Sequence, residues 1–219
     1  MFAKELISDD ISPLQLTDTV EQALTMMQEN KVKQLPIVDS VLYYGLLSEN
    51  SIIEFEDKNI LISEILHLVS KKYIEENQHL YEAIYELANS NISLLPVVDT
   101  QMKYLGCILP DGLIKDLSKF SAINQSGGII VLEMNVHDYS LGHIAQLVEE
   151  NDTRILSSFV YSIPNSTQIE LHLKLNRTDI STVINTLERF GYNIKVSITD
   201  DVSDELNDRY SSFMKYLSI

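Results

Sequence analysis

The chain has 219 residues and a formal net charge of −16, with 16 Lys and Arg against 32 Asp and Glu. Phosphate backbones and anionic membrane surfaces select clustered cations, so neither nucleic acid nor a membrane is an expected partner. The single cysteine, Cys107, excludes a disulfide framework and a thiolate metal cluster. No apolar run approaches the roughly 18–20 residues of a membrane span, and "MFAKELISDD" turns acidic too soon for a secretory signal. The expected compartment is the cytoplasm.

The elements come in two copies. Asp18 or Thr19 is placed to cap a helix in which Val20, Leu24 and Met27 share one face. The strands "QLPIVD" (34–39) and "YYGLLS" (43–48) follow, and then a helix over "SENSIIEFE" (48–56). Sixty residues on, Asn77 is placed to cap a helix with Leu80, Ile84 and Leu87 on one face. It leads into "LLPVVD" (94–99), "YLGCIL" (104–109) and a helix over "PDGLIKDLSKF" (110–120). With a strand before each first helix, the unit reads strand, helix, strand, strand, helix, twice over. A fixed-period repeat of this kind outranks other organisational signals.

The polar, Gly-bearing stretch "SAINQSGG" (121–128) reads as a linker. Beyond it the pattern predicts a strand at 128–135, an amphipathic helix at 141–151, strands at 155–163 and 167–175, a helix at 177–191 and a strand at 192–199. That βαββαβ order is ferredoxin-like. In the tail 200–219, Val202, Leu206, Tyr210, Phe213, Met214 and Leu217 fall at helical spacing, a stripe read as packing on its own domain or across a dimer axis.

The duplicated string "LP(I/V)VD", its preceding helix and the Gly-bearing strand behind it resemble a tandem pair of CBS domains, residues 1–60 and 61–122. With 123–127 as linker, Gly142 at the first strand–helix corner and "ERFGYNIKV" near the end, residues 128–199 resemble an ACT domain, followed by the C-terminal amphipathic helix 200–219. The whole is similar to small stand-alone regulators of the acetoin-utilisation protein type. The resemblance implies an α+β fold: two βαββα units packed as a pseudo-twofold pair, then the ferredoxin-like unit and a helix. It also implies a homodimer acting on an unknown protein partner, with adenosine-containing ligands (AMP, ADP, ATP or S-adenosylmethionine) in the clefts between the copies.

Carried onto this chain, the base-binding positions in copy one are Ser12, Pro13, Gln34, Leu35 and Pro36, and in copy two Tyr73, Leu94 and Pro96. The family's ribose–phosphate run is G-x-x-[ST]-x-x-D. Copy one reads "GLLSENS" (45–51), with Ser48 in place and Ser51 where the acid belongs. Copy two reads "GCILPDG" (106–112), with Leu109 in the hydroxyl position, Gly112 in the acid position and Asp111 one residue early. Losing a charge-assisted ribose contact costs about 1.5–3 kcal/mol, roughly ten- to a hundredfold in affinity. Copy one is the better candidate, and a ligand-free dimerisation or interaction scaffold is the alternative. In the ACT-like corner "HDYSLGH" (137–143), Asp138, Ser140 and the Gly142 amide are the candidate contacts for an amino or carboxylate group.

No catalytic arrangement stands out. The histidines at 67, 79, 137, 143 and 172 lack metal-site spacing, and there is no GxSxG, P-loop or GxGxxG. Cys107, in mid-strand, reads as a buried inert thiol. The expected function is regulatory rather than enzymatic.

Overall fold

The structure is a computed structural model and describes residues 1–199; the helix expected at 200–219 lies outside the described residues. The chain divides into two compact units between Leu117 and Ser118.

In the first unit, α1 (Val20–Glu29) starts at Thr19, whose hydroxyl accepts from the Gln22 amide while Gln22 Oε1 accepts from the Thr19 amide. This reciprocal cap satisfies two orphan donors and fixes a face that buries Val20, Ala23 and Met27. In copy two the same arrangement opens α2 (Leu80–Asn89), but the cap is His79 with Glu82, not Asn77. Antiparallel pairs follow each helix: β1 (Gln34–Asp39) with β2 (Leu42–Ser48), and β4 (Leu95–Val98) with β5 (Tyr104–Ile108). Each pair breaks register at the corresponding place, Ile37/Val38 and Val97/Val98.

The strand expected before each helix is vestigial. In copy one it is a single parallel bridge, Leu14 to Ile37, and in copy two the two-residue β3 (Ile74–Glu75) beside β4. The expected closing helix also forms in only one copy. Copy two has α3 (Pro110–Phe120), with Pro110 at its first position, where a missing N–H costs nothing. Copy one has only the 3-10 turn Glu49–Ser51. There Lys58 Nζ donates to the carbonyls of Ile52 and Ile53, satisfying acceptors that a longer helix would have used internally.

The copies are not self-contained. Residues ahead of copy one pack on copy two: the Ser8 amide donates to the Cys107 carbonyl, Ala3 and Lys4 donate to Gln78 and Glu76, and Ala3 and Leu6 are buried in copy two's core. Residues ahead of copy two pack on copy one: Leu46 and Ser70 exchange both backbone hydrogen bonds, and Ile62 and Ile65 enter copy one's core. Each crossing segment runs over the glycine of the underlying strand. A Cβ on Gly45 would sit 2.5 Å from Val69 Cγ2, and one on Gly106 2.4 Å from Ile7 Cγ2.

In the second unit, β6 (Ile129–Asn135), α4 (Leu141–Glu149), β7 (Ile155–Ser162), β8 (Gln168–Leu175), α5 (Ser181–Arg189) and β9 (Asn193–Ile198) form one antiparallel sheet ordered β7-β8-β6-β9. Alternation along β8 buries Ile169, Leu171, Leu173 and Leu175 with Ile144, Leu147 and Val148 of α4 and Val183 and Leu187 of α5. Gly191, at φ +84°, ends α5 as its position in the sequence predicts.

Candidate functional site

The copy-one candidates assemble at one end of the β1–β2 pair. Gln34 lies opposite Ser48 in the register. The Leu14 amide, next to Pro13, donates to the Pro36 carbonyl at 2.8 Å, and the Glu49 amide to the Lys33 carbonyl at 2.9 Å. Leu35 and Pro36 are buried, Pro13, Gln34, Ser48 and Ser51 half-buried, and Ser12 exposed. Ser48 precedes the 3-10 turn without using its side chain as a cap, which leaves the hydroxyl uncommitted. Ser51, in the position of the missing acid, instead donates its hydroxyl to the Ser48 carbonyl at 2.6 Å. A pocket of about 410 Å³ lies next to these candidates, bounded by Leu24, Met27, Val32, Lys33, Glu49 and Ile53, and none of the residues predicted from the sequence lines it. That volume is in the range of small-molecule sites.

A clasp between the copies borders the same end. The Lys33 amide donates to Ser93 Oγ at 2.9 Å, and the Ser93 amide and hydroxyl donate to Gln34 Oε1 at 2.9 and 2.8 Å. Gln34 and the Lys33 amide are thus already engaged. Nothing in the spacing of the sequence pointed to this pair, because its members lie 59 residues apart.

The copy-two candidates do not converge in this way. Leu94 is fully buried and belongs to copy one's core, against which Leu109 also packs. Pro96 is buried opposite Cys107, while Asp111 is exposed on the first turn of α3. Tyr73 joins an aromatic group that sequence reasoning missed. Its ring meets Tyr43 edge-on at 6.2 Å, and Tyr43 stacks on Tyr104 at 6.4 Å. The Tyr43 hydroxyl donates to the Lys72 carbonyl at 2.6 Å, and burial drives its pKa upward. The Tyr104 hydroxyl is buried and has no hydrogen-bond partner; the Cys107 thiol is near it, outside hydrogen-bond geometry. Cys107 is wholly buried, and desolvation pushes its thiol up to about 11, which matches the inert reading.

In the second unit, Ser140 caps α4 by accepting from the His143 amide at 3.4 Å. Gly142 lies within α4, and no atom comes within 4 Å of a Cβ placed there, so close packing does not require glycine. Asp138 borders a pocket of about 350 Å³ with Glu133, Phe190, Tyr192 and Asn193. His143 Nδ1 is 2.7 Å from the Tyr192 hydroxyl. Among the described residues no three His, Cys, Asp or Glu side chains group to hold a metal ion, and no helix is long and apolar enough to cross a membrane.

A clasped two-copy module with a pocket at one end is the class that the geometry defines, and the comparisons bear on its first half. The CBS domain model matches residues 3–58, and copy two repeats the helix, strand pair and crossing segment of that region. Inosine-5'-monophosphate dehydrogenase of Methanocaldococcus jannaschii is 23% identical over 143 residues, covering 63% of this chain and 28% of that protein. L-aspartate semialdehyde sulfurtransferase of Methanosarcina acetivorans is 29% identical over 119 residues, covering 53% of this chain and 24% of that protein. The chain therefore spans about a quarter of the length of these curated relatives. Among solved structures, a CBS domain pair/ACT domain protein from Thermotoga maritima aligns with 55% of this chain and 98% of its own, at 18% identity and a TM-score of 0.49. CBSX2, a CBS-pair protein known from Arabidopsis thaliana, was solved in complex with AMP. That structure aligns with 54% of this chain and 97% of its own, at 18% identity and a TM-score of 0.44.

Proposed function

We propose that the protein is a non-enzymatic regulator whose copy-one cleft holds an adenosine-containing nucleotide: AMP, ADP, ATP or S-adenosylmethionine. One observation carries the reading. The Ser48 hydroxyl is uncommitted and half-buried at the end of the β1–β2 pair, opposite Gln34 in the register. The base would lie against Pro13 and Pro36, with Ser48 toward the ribose and phosphates and Lys31 and Lys33 at the rim. A cytoplasmic homodimer follows from this reading, in which occupancy shifts the dimer and so a partner protein's activity. We read residues 128–199 as the ferredoxin-like, ACT-like part, with Asp138, Ser140 and the Gly142 amide as a secondary amino-acid corner.

A second reading has its own observation. The Gln34–Ser93–Lys33 clasp engages groups that would otherwise meet the base, which favours a ligand-free scaffold. A thermal-shift panel of AMP, ADP, ATP, S-adenosylmethionine and NADH separates the two. A ligand at 100 times its Kd adds about 2.7 kcal/mol to stability, and Ser48→Ala is expected to reduce that gain. No shift with any of the five at millimolar concentration sinks the nucleotide reading in favour of the scaffold.

A further inference from the structure

Gln34 and Ser48 oppose each other directly in the β1–β2 register. Opposed residues of an antiparallel pair send their side chains to the same face, with Cβ atoms about 4.5–5.5 Å apart. The Gln34 side-chain amide and the Ser48 hydroxyl are therefore neighbours. Among the described residues neither Gln34 Nε2 nor Ser48 Oγ has a hydrogen-bond partner, and although both residues are half-buried, both atoms keep contact with solvent.

Copy two decides which end of the Gln34 side chain is left over. The Ser93 main-chain N–H, which can only donate, lies 2.9 Å from one terminal atom of Gln34. That atom must be the carbonyl oxygen, because an NH2 there would set donor against donor. The Ser93 hydroxyl donates to the same oxygen at 2.8 Å and accepts from the Lys33 N–H at 2.9 Å, which turns its own proton toward Gln34. Two donors thus hold Oε1, and only the NH2 remains to be offered beside Ser48. The device exists once. The repeat offset puts Leu94 in the position of Gln34, and Leu94 is apolar and fully buried.

We infer that Ser93 of copy two is a positioning residue for recognition in copy one: acting through Gln34, it makes the group that reads the base a donor only. The ligand then has to present a lone-pair acceptor at that edge. In adenine the acceptors are the ring nitrogens N1, N3 and N7, whereas the 6-amino group would set donor against donor. The inference rests on the nucleotide reading of the copy-one cleft and adds to it the polarity of the base contact and the residue that sets it.

The test measures, by titration calorimetry on the full chain, the affinity of AMP and of its 1-deaza, 3-deaza and 7-deaza analogues. One analogue is expected to bind roughly three- to tenfold more weakly than AMP, the worth of one hydrogen bond. Gln34→Glu keeps the oxygen that Ser93 holds and removes the donor, so that ratio should fall to about one. Ser93→Ala loses one of the two donors that hold the amide and should lower the ratio, whereas Ser93→Thr keeps both and should preserve it. A merely structural role for Ser93 would weaken all four ligands alike and leave the ratio as it is in the parent, which overturns the inference. Equal binding of AMP and all three analogues by the parent also overturns it while leaving the nucleotide reading in place. No binding of AMP at millimolar concentration overturns the inference and tells against the nucleotide reading as well, so the two failures are distinct.

Discussion

Gly106→Ala tests the crossing of the N-terminal segment over copy two. The new Cβ would stand 2.4 Å from Ile7 Cγ2, and the backbone there has φ +140°, where side chains are strained. The backbone term is about 1–3 kcal/mol and the overpacking term about 1–3 kcal/mol, so together they cost about 2–6 kcal/mol. Against a total stability of about 5–15 kcal/mol, that is a large loss in urea or thermal denaturation. Because the contact is specific, Ile7→Ala should recover the overpacking share in the double variant. A double-mutant cycle should return a coupling of about 1–3 kcal/mol. If Gly106→Ala matches the parent within about 0.5 kcal/mol, or the cycle returns no coupling, Ile7 does not cross Gly106 as described.

The other expectations concern the buried groups nearby. At pH 8 about one Cys107 thiol in a thousand is ionised, given a pKa of about 11, so a thiol reagent should leave the folded chain unlabelled, and removing residues 1–8 should make the site react. The native thiol titrates above its ordinary value of 9. Its share of stability is therefore complete below about pH 9 and lost as pH rises to about 11, on the order of 3 kcal/mol. Cys107→Ser should flatten this part of the alkaline stability profile; an unchanged slope would show that the thiol is not its source. Tyr104→Phe removes a buried hydroxyl without a partner, so chemical denaturation should find it neutral or up to about 1 kcal/mol more stable. A loss above that size would mean that the hydroxyl has a partner in solution.

Much of the fold was legible where the signal is local. Thr19 and Gln22 lie three residues apart and cap α1 with each other, and the apolar periods of β6 to β9 reproduce the expected order. The copy-one closing helix was not legible because "SENSIIEFE" has helical composition, and the competitor, Lys58 reaching back to the Ile52 and Ile53 carbonyls, lies just beyond it. The crossing segments were not legible because Ser8 meets its partner Cys107 across 99 residues, with no local pattern to declare the pairing. A trace was present all the same. A glycine inside each second strand, Gly45 and Gly106, is the usual mark of a close backbone approach. The site divides along the same line: Ser48 and Ser51 were found by position in a motif, whereas the Gln34–Ser93 bond depends on how the copies dock.

The reciprocal crossing means that the repeat in space is offset from the repeat in sequence. A fragment cut at residue 60 would lose Ile62 and Ile65 from copy one's core and uncover Gly45. A fragment begun at residue 61 would lack Ala3 and Leu6 and leave the Cys107 edge bare. An independent copy one has to extend to about Ser70, and an independent copy two has to carry residues 1–8 reattached, for instance beyond α3 by circular permutation. Each copy therefore completes the other's core, and neither can be shed without unmaking its neighbour.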